Sequence, residues 1–379
     1  MSDIEVNGIK LEMENPQSAE ALSSGEPAVV APAGSQRYRM IFSGTAGEYF
    51  RIWMVNLFLT VLTCGIFAAW AKVRSRRYLY ARTLLAGQPF DYMANPWFIF
   101  KGNLIVGAGI LLYLFADTYN QLYSSGVLLA FYLVLPFLIC KSLRFNAYNS
   151  AYRNIRFRFY GSLKESYGIY LLLPILIPLT LGLIVPFWMY RRKKYFFQNF
   201  SYGATRNSFE GNAGAFYRTY GLAGLVSMVF LGIGVAGFLG FVSFVEDISI
   251  QPAGLSRAIV LIPIISYVVM MVYFTLVQQY IFGRVTNYCW AQTRAGTLQF
   301  QSRLEIRKLM WIRLTNILAI FISFGLLIPW AKIRRTRYIL NSLTIISERS
   351  LDEYSAAAEA DQSAIGEVTT DFFDIAIGI

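Results

Sequence analysis

Residues 65–78 read Gly-Ile-Phe-Ala-Ala-Trp-Ala-Lys-Val-Arg-Ser-Arg-Arg-Tyr, and residues 325–338 read Gly-Leu-Leu-Ile-Pro-Trp-Ala-Lys-Ile-Arg-Arg-Thr-Arg-Tyr. At a constant offset of 260 the two stretches share the glycine, Trp-Ala-Lys, two arginines and the closing tyrosine, and Asn56 and Asn316 each stand nine residues before the glycine. A more diverged copy at offset 117 keeps Gly182, Arg191, Lys194 and Tyr195 in register and aligns Pro186 with Pro329, although Met189 replaces Lys72 and Lys332. Three copies in register predict an internal repeat. Each copy sets Gly or Pro just before its aromatic and basic end, and the middle copy adds Pro174 and Pro178. Such residues break helices and permit sharp turns. Inside a membrane segment a break is tolerated only where neighbouring helices or a water-lined cavity satisfy the freed backbone groups. The repeats are therefore expected to be re-entrant or interfacial elements, the alternative being three ordinary kinked spans.

The rest of the chain puts these elements in a membrane. Of 379 residues, 56% are apolar and 15% charged, and the mean hydropathy is +0.45. A water-soluble surface is not built from that balance. The net charge of +12 sits in clusters that flank apolar runs, as at Lys72, Arg74, Arg76 and Arg77 or Arg191, Arg192, Lys193 and Lys194. That placement is the mark of membrane topology rather than of nucleic-acid binding.

Seven apolar stretches are long enough to matter in a hydrocarbon core of roughly 30 Å, at about residues 52–70, 102–119, 126–140, 168–188, 220–245, 258–280 and 310–330. If all seven crossed, Lys and Arg would divide 16 to 18 between the two faces, leaving no orientation signal. If the first, fourth and seventh return to the face they came from, the division becomes 33 to 1, with Arg257 alone on the far side. The positive-inside rule selects the second arrangement. It gives four crossings, with both termini in the cytoplasm.

The expected fold class is all-α: a polytopic membrane helical bundle ordered as repeat, transmembrane hairpin, repeat, transmembrane hairpin, repeat. The repeats fall at about 42–92, 159–211 and 300–345 within an integral membrane domain spanning 37–349. Residues 1–36, rich in Ala, Ser, Pro, Gly and Glu, read as a disordered acidic tail rather than a signal peptide. Residues 350–379, with seven acidic side chains and no basic one, read as a second acidic tail that docks on the basic cytoplasmic face. After each transmembrane hairpin comes a related basic-aromatic strip, with Asn146, Arg153 and Phe159 aligned to Asn287, Arg294 and Phe300 at offset 141. The period-two alternation of Arg156-Phe157-Arg158-Phe159-Tyr160 marks short cytoplasmic strands.

From Gly65 to Arg74, with Arg77-Tyr78 and the terminal Asp371-Phe372-Phe373-Asp374-Ile375, the chain resembles the YjgN family of bacterial inner-membrane proteins. The resemblance runs from about Arg39 to the C-terminus. It implies a multi-pass protein of the bacterial inner membrane and supplies no activity, because the family is a domain of unknown function.

Chemistry is limited by what is missing. With no histidine, imidazole triads, Cys-His pairs, His-ligated metals and His proton switches are excluded. The three cysteines are far apart, and there is no phosphate loop, nucleophile elbow or paired metal-type acid cluster. No enzyme activity, cofactor or metal is expected. The candidate lipid- or anion-binding residues are Trp70, Lys72, Arg74, Arg77, Tyr78, Arg191, Lys194, Tyr195, Trp330, Lys332, Arg334, Arg337 and Tyr338, because Trp and Tyr favour headgroup level and Lys and Arg favour lipid phosphates. Plain anchoring is the competing reading. Asn56, Thr60, Thr63 and Asn316 are intramembrane polar candidates, either lining a solute path or bonding helices together. No carboxylate lies mid-stretch, which disfavours coupled transport. Two functions are expected to compete: passive transport or binding of a lipid or small anionic solute, and a non-transporting scaffold that binds anionic lipid or envelope partner proteins. Membrane lipids are the expected partners, nucleic acid is not, and a homo-oligomer fits either reading.

Overall fold

The computed structural model describes residues 35–203, 205–247, 252–348, 351 and 353, with side chains described at all of these except 242, 244–247 and 252–263. The expected acidic tails lie almost entirely outside the described residues.

Helices come in pairs, and each pair is followed by strands. Strands β1 (Gln36–Arg39) and β2 (Ile41–Phe42) lead into helices α1 (Ala46–Leu62) and α2 (Ala68–Ala81), then β3 (Thr83–Leu85) and β4 (Gln88–Tyr92). Helices α3 (Pro96–Tyr119) and α4 (Gln121–Tyr148) precede β5 (Ser150–Tyr152) and β6 (Ile155–Phe159). Helix α5 (Leu163–Tyr167) continues through a π turn, Gly168–Leu172, into α6 (Leu173–Leu179), and α7 (Val185–Asn199) precedes β7 (Phe200–Tyr202) and β8 (Thr205–Phe209). Helices α8 (Ala213–Asp247) and α9 (Pro252–Ala291) precede β9 (Thr293–Ala295) and β10 (Leu298–Ser302), and α10 (Ile306–Ile322) and α11 (Ile328–Asn341) precede β11 (Leu343–Ser347).

The all-α expectation is overturned by these eleven strands, which form one antiparallel sheet in the order β1-β11-β10-β9-β8-β7-β6-β5-β4-β3-β2. The two ends of that order are consecutive in the chain. Residues 36–39 pair with β11, the Met40 amide donates to the Leu343 carbonyl at 3.1 Å, and Ile41 and Phe42 pair with Leu84 and Thr83. The sheet thus curls into a nearly closed, barrel-like ring, and closure removes the exposed edges that a flat sheet would leave. The strands escape a hydropathy reading because each has only two to five residues, and β3, β5, β7, β9 and β11 begin within two residues of a helix end. Two of the tight turns that fold them into hairpins have positive φ at both central residues, Ala86 and Gly87 in one and Arg153 and Asn154 in the other, as type I′ turns require, and Gly203 and Gly296 open the later turns at positive φ.

Corresponding elements of the second and fourth groups stand 143 residues apart, as β6 and β10 do. The counterpart of Phe300 is therefore Phe157, not Phe159 as offset 141 suggests. Both pack into the apolar filling of the ring. That filling comprises Met40, Leu85, Tyr152, Ile155, Tyr202, Ala295, Leu298, Leu343, Ile345 and Leu351. The aromatic rings interlock, with Phe90 and Tyr152 at 4.7 Å and Phe157 and Tyr202 at 5.3 Å between centroids.

Among the described residues, four helical segments are long and apolar enough to cross a membrane: Pro96–Tyr119, Gln121–Tyr148, Ala213–Phe241 and Ile264–Ala291. They contain or overlap the four stretches that the charge count assigns to crossing. The other three stretches form broken helix pairs. In each, the turn holds a non-glycine residue and then a glycine at positive φ: Cys64 and Gly65, Leu181 and Gly182, Phe324 and Gly325. The amides of Gly65, Gly182 and Gly325 each donate to a carbonyl five residues back at 2.8 Å, closing the first helix in the Schellman manner.

Candidate functional site

The first helix of each broken pair rises only about 25 Å at 1.5 Å per residue, short of the hydrocarbon core, and the second doubles back on it. Asn56 Nδ2 lies 3.3 Å from both the Ala71 carbonyl and Ser75 Oγ, and Asn316 Nδ2 donates to the Ala331 carbonyl at 3.1 Å. Both asparagines are buried, so these amide bonds clamp the two helices where water is excluded. Thr60 Oγ1 donates to the Asn56 carbonyl at 2.6 Å. Thr63 Oγ1 donates to the Leu59 carbonyl at 2.7 Å and accepts from the Phe67 amide at 2.9 Å, satisfying an amide that the break frees. Thr180 and Ser323 do the same for the amides of Ile184 and Leu327. A hydroxyl two residues before each glycine is the sequence signal for this device; Thr63 is among the predicted polar residues, while Thr180 and Ser323 are not.

The tyrosines that close each motif are ties. Tyr78 accepts from the Thr45 amide at 2.9 Å, Tyr338 accepts from the Glu305 amide at 2.8 Å, and Tyr195 donates to the Ser162 carbonyl at 3.1 Å. Each bond spans 33 residues and holds the second helix to the start of the first. Burial pushes the phenols of Tyr78, Tyr195 and Tyr338 above the ordinary tyrosine value. The helix starts are close-packed as well. A methyl group built on Gly161 would lie 2.4 Å from the Phe159 ring and 2.6 Å from Tyr195, with similar crowding at Gly44 and Gly211.

The second arginine of each outer motif ties one helix pair to the next. Arg77 donates to the Ala94 carbonyl at 3.1 Å, just before cap Asn95, and Arg337 donates to the Gly44 carbonyl at 2.7 Å, just before cap Thr45. Arg144, outside the predicted set, makes the equivalent bond to Gly161 at 2.8 Å. Arg76, also unpredicted, bridges Tyr92 and Asn146. Lys332 donates to the Tyr49 hydroxyl at 2.7 Å and sits 5.0 Å over its ring. Arg334 donates to Thr315 Oγ1 and Asn316 Oδ1 at 2.7 and 3.1 Å and lies 5.1 Å from the Trp330 ring.

A smaller set faces outward. Arg74, the counterpart of Arg334, is exposed. Val55 stands where Thr315 would be, so Arg74 lacks one of the two acceptors that hold Arg334. Lys72 is largely exposed, and the partial desolvation of its ammonium, with neighbouring Arg76, holds its pKa below the ordinary lysine value. Trp70 packs against Trp97 at 5.1 Å and Phe100 at 5.6 Å. Lys194 lies 5.9 Å from the Tyr190 ring, and Arg191 is half-buried on the same helix. The seventeen predicted residues therefore occupy the three broken pairs as separate copies. They do not converge on one centre. At the tip of the third pair, an apolar recess of about 410 Å³ is lined by Ile320, Phe321, Ile322, Phe324 and Gly325.

A family model described as "Bacterial protein of unknown function (DUF898)" matches residues 37–372. The chain is similar to the "Inner membrane protein YjgN" of Salmonella typhimurium, 29% identical over 161 residues, covering 41% of this chain and 40% of that one. It is 32% identical over 155 residues to the protein of that name from Escherichia coli strain K12, covering 39% and 37%. These alignments span about two fifths of the relatives' length. No solved structure matches. Because the family match takes in the strand ring together with all four membrane-length helices, the chain belongs to this family of bacterial proteins of unknown function and is a multi-pass membrane protein.

Proposed function

We propose that this protein is a non-catalytic, non-transporting scaffold of the bacterial inner membrane that gathers anionic phospholipid headgroups around a cytoplasmic ring of strands. One observation carries the choice of scaffold over passive carrier: the ring is filled by interlocked apolar and aromatic side chains. A solute path along the ring axis would require those side chains to move, and close-packed cores resist that.

Topology supports the same reading. Every helix pair begins and ends on strands of one sheet, and a continuous sheet lies on one side of a bilayer. Each pair must therefore leave that side and come back to it. The two long pairs cross fully, while the three broken pairs re-enter as copies of one internal repeat. Their tips carry Leu181 and Phe324, 92% and 98% exposed, which suits immersion in lipid. The basic ends of α2, α7 and α11 then lie at the cytoplasmic leaflet, and both termini are cytoplasmic. The outward-facing Lys72, Arg74 and Trp70 are the first contacts for headgroups. Envelope proteins or further copies of the chain would dock on the assembled lipid-bearing ring.

Reconstitution tests the proposal. Vesicles containing the protein are expected to retain a trapped small anion as well as empty vesicles do, while the purified protein keeps anionic phospholipid through delipidating washes. Lys72→Gln with Arg74→Gln is expected to lower that retention several-fold. Anion flux that depends on the protein, with no lipid retained, would establish the carrier instead.

A further inference from the structure

We infer that α9, α10 and α11 together form a phosphate-binding site, built from Arg313, Arg335 and Gln279, for a phosphate group that also presents a hydroxyl. It lies outside the predicted candidate set.

The helices meet in a definable register. A methyl group on Gly283 of α9 would stand 3.2 Å from Ile306 and 3.4 Å from Leu309 of α10, so the two helices touch there. They flank the same β9–β10 hairpin, one arriving and the other leaving, and so run antiparallel. One turn back along α9 is Gln279, and one turn forward along α10 is Arg313, which sets the two at one level. Arg335 of α11 reaches the same place, its guanidinium 5.3 Å from the ring of Phe282, three residues along the same face of α9.

The three polar groups are underused. Nε of Arg313 and Nε of Arg335 are both shielded from water and unbonded, and so is Oε1 of Gln279, a residue only 4% exposed. Burial disfavours the charge on Arg335, and the neighbouring Arg313 cation adds to the effect. Half-buried like charges with empty hydrogen-bonding capacity call for an anion between them. Two guanidinium forks match the tetrahedral oxygens of a phosphate. The amide oxygen of Gln279 only accepts, so the molecule bound there must also donate, as a headgroup hydroxyl does. Phosphate with adjacent hydroxyls is the chemistry of a glycerol-type phospholipid headgroup and, in part, of free hydrogen phosphate.

Native mass spectrometry of the full-length protein exchanged into phosphatidylglycerol or phosphatidylcholine micelles tests the site. Parallel melting curves with inorganic phosphate in lipid-free detergent separate the two sources. The expected result is preferential retention of phosphatidylglycerol, reduced roughly tenfold by Arg313→Gln or Arg335→Gln. Arg294→Gln, which removes the same charge elsewhere, should leave it unchanged. A phosphate-dependent rise in melting temperature lost in Arg335→Gln, without lipid preference, would uphold the site and assign it to a soluble anion. Should a glutamine variant fail to fold, Arg313→Lys and Arg335→Lys, which keep charge but lose the fork, must bind about threefold more weakly. Folded variants that bind phosphatidylglycerol and phosphate as the wild type does would overturn the assignment. The lipid arm alone rests on the cytoplasmic placement proposed above, so loss of that arm with the phosphate arm intact tells the two failures apart.

Discussion

At Gly161 the chain has no room for a side chain: the Phe159 ring and the Tyr195 ring both stand where a Cβ would go. Gly161→Ala is expected to destabilise the protein by about 1–3 kcal/mol through overpacking, seen as a lower detergent-phase melting temperature. Gly47→Ala, with open space around it, should show no loss. The tying tyrosines give a pH signature. Their folded-state pKa values lie above the unfolded value near 10, so the folded state holds these protons more tightly. The contribution is complete below that unfolded value and is lost as pH rises through the raised folded values. The thermal unfolding temperature should therefore fall above pH 10, and Tyr78→Phe with Tyr338→Phe should flatten the slope. At this scale the partners of the residues named in the sequence were not legible. Tyr78, Arg77 and Arg337 have the composition of a headgroup clamp, yet each bonds a backbone group distant in sequence. Composition cannot distinguish a cation facing lipid from one facing a carbonyl.

The helix pairs are the elements on which the account turns. Long apolar runs make α3, α4, α8 and α9 readable, since length and hydropathy are local properties. Glycines 65, 182 and 325 mark the breaks because a positive φ needs little else. The strands were readable only at residues 156–160, where charged and aromatic side chains alternate, one residue out of register with β6. Elsewhere their meaning depends on partners such as Gln36 and Ser347, more than 300 residues apart. The hydroxyls that seal the breaks are the next test. Thr63→Val and Ser323→Ala together each leave one amide, at Phe67 and Leu327, without its acceptor. Each should cost about 1–3 kcal/mol. Proteolysis of the variant in micelles should then cut near the turn where the wild type resists.

For the whole molecule, the ring organises everything else. Residues 36–42 join the two ends of the sheet, so deleting them should open it and expose β11 and β3 as edges. The expected readout is loss of the folded monomer to aggregates on size-exclusion chromatography. The proposed topology rests on two separate arguments: it is the arrangement that divides Lys and Arg 33 to 1, and it is the one that keeps a single sheet on one side of a bilayer. The charge count reads the membrane, and the sheet reads the backbone. The central claim is that the first broken pair returns to the side it left. In a Cys64→Ser background, Gly47→Cys before the turn and Gln88→Cys after it can be labelled one at a time with a membrane-impermeant maleimide. The account predicts that both positions react in inverted membrane vesicles and neither in intact spheroplasts. Reaction of one position from each side would contradict it.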